Sequence, residues 1–252
     1  MRIQLGKGKK YIGSCCGNSF VIFDCRTAKM DKRSKADFAS KNIVKYGVDS
    51  ALFIENFKGF DVSMEIFEKD GSESESCGNG LILIAYLLGL NEGKVKMKNS
   101  SAVLRGDSKK QAILMEIKTS RVEKMNDKKN CLFVKMGEPH IIYLVDDLNK
   151  FNLVKIGENL QKNYLEGINV DAIQKINEFY YLIKTYERGV CAETGSCGTG
   201  ALSSYIAISY FNDKIYREPI EFNSAGGSHW VSIIGDMLKL ETLKKFCKIR
   251  AL

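Results

Sequence analysis

Two stretches of the 252-residue chain, Ser76-Cys77-Gly78-Asn79-Gly80 and Ser196-Cys197-Gly198-Thr199-Gly200, share the pattern S-C-G-x-G and stand 120 residues apart. Each precedes a run of about ten residues, Leu81 to Leu90 and Ala201 to Tyr210, that reads as a helix. A thiol in the first turn of a helix meets unpaired N–H groups and the positive end of the macrodipole. That position predicts a pKa lowered from about 8.5 toward neutrality. The flanking glycines Gly78, Gly80, Gly198 and Gly200 let backbone amides approach an anion, so a carboxylate could lie between the two turns. Two thiols facing each other across a bound α-amino acid suit inversion at the α-carbon: a thiolate takes the proton from one face and a thiol returns one to the other. The helix N-termini would stabilise the charge that builds on the carboxylate, with no metal or pyridoxal cofactor required.

A single C-G-x-G is compatible with a tight turn over a buried cysteine; its recurrence at corresponding places in two halves favours the chemical reading. A dinucleotide fingerprint is excluded, because Leu83 and Ser203 occupy the third glycine position, and no G-K-[ST] marks a P-loop. Zinc is disfavoured as well. Cys15 and Cys16 are adjacent, Cys191 and Cys197 are six apart, and the only two histidines, His140 and His229, are 89 residues apart. Cys25, Cys131 and Cys247 read as small buried apolar residues. Any histidine in the mechanism is His140 or His229.

These turns need a framework. An apolar content of 44% supports a packed core and excludes a disordered chain. Lys+Arg 38 against Asp+Glu 30 gives +8 without basic blocks, so no nucleic-acid partner is implied. Met1 to Lys10 lacks a secretory apolar run, and Leu81 to Leu90 is too short to span a membrane, so a cytoplasmic protein with reduced thiols is expected. Strands are expected at Phe20 to Phe23, Lys94 to Lys98, Ala112 to Lys118, Leu132 to Met136, Ile141 to Val145, Asn169 to Ile176, Tyr180 to Tyr186 and Trp230 to Ile234. The polar stretch from Thr119 to Asn130 reads as the crossover between halves. The expected architecture is α/β (α+β): two similar domains, 1–122 and 123–252, each a mixed, largely antiparallel sheet or barrel around a central helix. The active site would lie in the cleft between them, and the last strand could return to the first domain.

At these residues the sequence resembles the diaminopimelate epimerase family of cofactor-independent racemases and epimerases. Gly17-Asn18-Ser19-Phe20 is similar to the family's G-N-D-F, and Phe67 through Gly80 to F-N-A-D-G-S-E-x-x-x-C-G-N-G. Gly137-Glu138-Pro139-His140 is similar to G-N-P-H, and Gly167-Ile168-Asn169-Val170 to G-T-N-V. Glu187-Arg188-Gly189 through Gly200 resembles E-R-G-x-G-E-T-x-A-C-G-T-G, and Gly226-Gly227 a C-terminal glycine pair. The resemblance implies Cys77 and Cys197 as the acid/base pair, supported by His140 and Glu187. It implies a carboxylate held by the N–H groups of Gly78, Asn79, Gly198 and Thr199, with Asn18, Asn169, Glu187 and Arg188 lining the pocket. A homodimer, a small amino-acid substrate and no cofactor are part of the same expectation.

Three departures bear on the substrate. Glu68 and Glu138 replace family asparagines, adding negative charge where the family binds the distal end of diaminopimelate. Like charges ~4 Å apart cost on the order of 4 kcal/mol at an effective dielectric of ~20, and Arg188 is the candidate partner that would relieve this. Cys191-Ala192 also stands where the family has one residue. A pocket containing Glu68, Glu138 and Glu187 suggests a basic amino acid, histidine first and then lysine or ornithine, with diaminopimelate as the alternative. A proline racemase-like enzyme is disfavoured by the G-x-P-H and E-R-G motifs, and a thiol/disulfide switch or binding protein is the competing class.

Overall fold

The computed structural model describes residues 8–116, 121–125 and 130–252, and within them the same succession of elements occurs twice. The first comprises β1 (Lys9–Cys15), β2 (Asn18–Asp24), α1 (Lys32–Tyr46), β3 (Ser50–Glu55), β4 (Val62–Phe67), β5 (Glu73–Ser74), α2 (Gly78–Leu88), β6 (Glu92–Lys96), β7 (Ser101–Gly106) and β8 (Lys110–Glu116). After β9 (Arg121–Lys124) come β10 (Cys131–Met136), β11 (Glu138–Val145), α3 (Leu153–Gln161), β12 (Asn169–Asn177), β13 (Tyr180–Glu187), β14 (Ala192–Thr194), α4 (Gly198–Phe211), β15 (Ile220–Ser224), β16 (Gly227–Ile234) and β17 (Met237–Leu243). The chain closes with β18 (Cys247–Ala251).

The pairings repeat too. β2 runs parallel to β3 across α1, as β11 does to β12 across α3; β4 runs parallel to β6, as β13 does to β15. The other pairings are antiparallel, and β8 pairs with β17 from Lys110↔Leu243 to Glu116↔Met237, joining the halves into one mixed α/β sheet system. β18 pairs with β1, Cys15 opposite Cys247.

Strand alternation explains the layers. Phe20 and Ile22 of β2 point into the core that surrounds α2 and α4, whereas Val21 and Phe23 face Ala39 and Ile43 of α1. Likewise Ile142 faces the central core, and Ile141 and Tyr143 face Leu153 on the α3 side. α2 buries Leu81, Ile82, Leu83, Ile84 and Ala85 in succession, the signature of a helix enclosed on all sides. α1 and α3 cover the outside; their polar sequences gave no expectation of helix, yet Asp31 caps α1 by accepting the Ser34 N–H at 2.8 Å.

All eight expected strands are present. The last two residues of Ala112 to Lys118, the first seven residues of the Met1 to Lys10 stretch in which no secretory signal is expected, and residues 119–120 and 126–129 of the expected crossover lie outside the described residues. Within that crossover Arg121–Lys124 forms a strand rather than a loop, because it pairs with β10 from Val134↔Val122 outward. Cys25, Cys131 and Cys247 are buried, as are Cys15 and Cys16. Among the described residues no helix is long and apolar enough to cross a membrane.

Candidate active site

α2 and α4 meet N-terminus to N-terminus. A Cβ added to Gly78 would lie 3.2 Å from the Cα of Gly198, and one added to Gly198 would lie 3.0 Å from the Cα of Gly78, so the two turns touch backbone to backbone. Each cysteine is the N-cap of its helix: Cys77 Sγ accepts the Gly80 N–H at 3.3 Å, and Cys197 Sγ accepts the Gly200 N–H at 3.4 Å. Gly226 closes the junction behind them, its N–H donating to the Gly195 carbonyl at 2.8 Å.

A cavity of about 40 Å³ opens between the turns. Its wall includes Cys77, Cys197 and Glu187, together with Asn18, Glu68, Gly78, Asn79, Glu138, Asn169, Arg188, Gly198 and Thr199. Every expected site residue except His140 is therefore in the wall. Asn18 opens β2; its Oδ1 accepts from the Cys77 thiol at 3.8 Å, while its Nδ2 donates to Asp49 at 3.4 Å. Asn169 Oδ1 accepts the Arg188 N–H at 2.9 Å, which sets the start of the β13–β14 turn. An outer chamber of about 440 Å³ shares Glu68, Ser74 and Arg188 with the inner cavity.

His140 stands behind the wall, fully buried. Its Nδ1 lies 2.6 Å from Asp171 Oδ2 and its Nε2 lies 3.0 Å from Thr199 Oγ1, which is itself 3.4 Å from Cys197 Sγ. Asp171 Oδ1 accepts from Thr185 Oγ1 at 2.6 Å. With Nδ1–H donated to Asp171, Nε2 accepts from Thr199, and His140 reaches Cys197 only through that hydroxyl. In Asp171→Asn the Thr185 hydroxyl still requires the amide oxygen, so the amide N–H₂ faces Nδ1 and drives the ring proton to Nε2. Turnover is expected to fall ~10–100-fold with folding retained, as measured by the rate of optical inversion; an unchanged rate would remove His140 from the mechanism.

The carboxylates differ in how they are held. Glu138 Oε1 accepts the N–H groups of Glu75 and Ser76 at 2.7 and 3.1 Å, and Oε2 pairs with Arg188 Nη2. Glu68 accepts from Ser50 Oγ at 2.8 Å and Ser74 Oγ at 2.7 Å, and among the described residues no cation is paired with it. Burial raises its carboxyl above the usual range, against those two hydroxyls. Glu187 accepts from Thr194 Oγ1 at 2.5 Å; burial pushes it up to about 8, and Glu68 and Asp49 add to the shift.

Burial also pushes both thiols up, Glu187 next among the causes, and it outweighs the first-turn N–H groups. This corrects the expectation of thiols lowered toward neutrality. The helix N-terminus acts in the expected direction, but the enclosing wall removes the water that would solvate a thiolate.

Glu187 predicts a pH dependence of stability. Its carboxyl holds a proton in the folded chain up to about 8, whereas the unfolded chain loses it near 4.5. Between those values the folded state binds more protons, so stability is full below pH 4.5 and declines as pH rises to 8. Glu187→Gln imitates the protonated form, and its melting temperature is expected to decline less across this window. Equal slopes for the two proteins would refute the assignment.

The extra residue near Cys191 is absorbed in the turn between β13 and β14. Cys191 adopts φ 56°, its N–H donates to the Glu187 carbonyl at 2.9 Å, and its side chain is exposed. Arg188 thus stays in the wall, its Nη1 donating to the Glu166 carbonyl at 2.8 Å. Sequence reasoning missed Asp171, Thr185, Ser50, Ser74 and Thr194. Asp171 left a signal, being a carboxylate in the alternating stretch from Ile168 to Ile173 and two residues from Asn169, hence on the same strand face.

Residues 132–242 match the family described as diaminopimelate epimerase. The diaminopimelate epimerase of Methanocella arvoryzae is 30% identical, with 89% of each chain covered, and that of Aquifex aeolicus is 29% identical, with 84% of each covered. Two solved structures share the fold. A phenazine biosynthesis protein of the PhzF family from Bacillus anthracis superimposes with a TM-score of 0.71 at 13% identity, covering 98% of this chain and 99% of its own. A hydroxyproline epimerase from Agrobacterium vitis gives 0.68 at 12%, covering 100% and 92%.

Proposed function

Because the chain belongs to the diaminopimelate epimerase family, and is therefore a pyridoxal-independent isomerase, we propose that it inverts the α-carbon of a basic amino acid with Cys77 and Cys197 as its acid/base pair. The observation that carries this reading is the meeting of two cysteine-capped helix N-termini at one cavity wall. The α-carboxylate lies on the N–H groups of Gly78, Asn79, Gly198 and Thr199, where charge grows as the α-proton leaves. Asn18 orients Cys77. Thr199, backed by His140, orients Cys197.

The wall supports a cationic side chain. Arg188 is engaged by Glu138, so a distal carboxylate would have to compete for it, whereas Glu68 has two hydroxyl donors and, among the described residues, no paired cation. A substrate cation beside Glu68 favours the ionised carboxylate, against the burial that raises its carboxyl. Ser76 Oγ, buried and without a hydrogen-bond partner among the described residues, offers a further polar contact. Histidine is the first choice, then lysine or ornithine; diaminopimelate is the alternative if Arg188 leaves Glu138. The inner cavity of about 40 Å³ is far below the ~300–1,000 Å³ of a typical ligand pocket, so the cleft widens from the outer chamber to admit substrate.

Incubation of single L-amino acids with the reduced protein in D₂O tests reaction and substrate together. Histidine, lysine or ornithine is expected to gain α-deuterium and lose optical activity faster than diaminopimelate. Preferential exchange of diaminopimelate would overturn the substrate assignment, and no exchange with any of the four would overturn the reaction.

A further inference from the structure

We propose that His229 is a positioning residue that locks the two cysteine-bearing turns into one carboxylate cradle. It stands on β16, 1% exposed, outside the cavity wall. Its Nε2 is 2.8 Å from Asn79 Oδ1 and its Nδ1 is 3.2 Å from Ser196 Oγ. Asn79 Nδ2 in turn donates to the Ser196 carbonyl at 3.1 Å. The three side chains thus close a ring between the first turn of α2 and the residue preceding Cys197.

The hydrogen-bond pattern fixes the chemistry of the ring. Because Asn79 Nδ2 is spent on a carbonyl, Asn79 Oδ1 faces the imidazole and needs a donor, which only Nε2–H supplies. Nδ1 then accepts from the Ser196 hydroxyl. An imidazole in this tautomer gives Asn79 Oδ1 and Ser196 Oγ their partners, and an apolar replacement leaves both buried without them.

The inference rests on the proposed racemase reading, in which the cradle N–H groups of both turns converge on one carboxylate. Gly78 and Gly198 touch through backbone alone, so beyond the shared core it is side-chain bonds between the turns that fix their fine relative position. A displacement of ~1 Å from a productive geometry can cost ~10²-fold in rate. The carboxylate carries more charge in the transition state than in the bound substrate, so the loss falls mainly on kcat.

The test compares His229→Leu, which abolishes the ring, with His229→Gln, whose amide can donate to Asn79 and accept from Ser196. Two measurements are made on each: kcat and KM for α-deuteration, and hydrogen exchange of the amides of residues 78–80 and 198–200. For His229→Leu, kcat is expected to fall ~10²-fold with KM changed less than ~3-fold, and exchange to quicken at both turns together; His229→Gln recovers most of both. A leucine variant with wild-type kcat, exchange that quickens at neither turn or at only one, or a glutamine variant no better than leucine would overturn the proposal. If the wild-type protein deuterates no amino acid, the racemase reading fails separately. The exchange data then decide on the lock alone: parallel loosening that glutamine reverses upholds it, and unchanged turns overturn it.

Discussion

Cys77→Ser and Cys197→Ser are each expected to lose racemisation by at least ~10³-fold while remaining folded. A hydroxyl close in acidity to water, pKa ~15.7, supplies about seven orders of magnitude less anion at neutral pH than a free thiol near 8.5. The fold is protected because serine is itself a favoured N-cap and can accept the same Gly80 or Gly200 N–H that the sulfur accepts now. Each variant keeps one thiol, so it retains at most proton abstraction from the enantiomer whose α-hydrogen faces that thiol. Deuteration is measured from the L and the D enantiomer separately, beside melting curves. Racemisation within ~10-fold of the parent in either variant would refute the two-thiol mechanism.

That mechanism must accommodate thiols that burial has made less acidic. In Brønsted terms a thiolate from a weakly acidic thiol is scarcer but more basic, which suits an α-hydrogen that is itself very weakly acidic. In the proposed mechanism the substrate's α-ammonium brings a cation beside Glu187, Cys77 and Cys197, where burial first and the Glu187 carboxyl next hold the thiols protonated. Ionisation of a thiol is thereby tied to the presence of substrate. The Glu187 carboxyl, poised near 8, is the group most readily discharged of its proton by that cation.

The sequence exposed the two cysteine turns and concealed their support. The S-C-G-x-G turns were legible because chemistry there is local: cap, glycines and helix dipole all lie within five residues, and the structure places them at one wall. The doubled sheet was legible in outline from its short apolar strands. α1 and α3 were not, since a helix covering one side of a sheet needs only a few apolar residues, such as Ala39 and Ile43 of α1, in a polar segment. The contacts of His140 and His229 were equally invisible, because each joins residues between 29 and 150 positions apart. Thiol acidity was misjudged for a related reason. The helix N-terminus is written in the local sequence, whereas the burial that outweighs it depends on Asn18, Glu187 and Asn169 arriving from elsewhere.

Substrate choice is expected to reverse in the double variant Glu68→Asn with Glu138→Asn. Removing Glu138 releases the Arg188 guanidinium from its ion pair, leaving it available to clasp a carboxylate at the distal end of diaminopimelate. Removing Glu68 deletes the carboxylate that a basic side chain would neutralise. At ~4 Å and an effective dielectric of ~20, one such charge pair is worth on the order of 4 kcal/mol, so discounting for residual solvent still leaves a swing of at least ~10²-fold in relative kcat/KM. Asn at 138 can continue to accept one of the two N–H bonds from Glu75 and Ser76, which limits the loss of stability. The single variants divide the effect: Glu68→Asn alone should weaken basic substrates without improving diaminopimelate, because Arg188 remains occupied. Unchanged relative kcat/KM for lysine and diaminopimelate in the double variant would show that neither glutamate reads the side chain, and would return the pocket to the family's usual substrate.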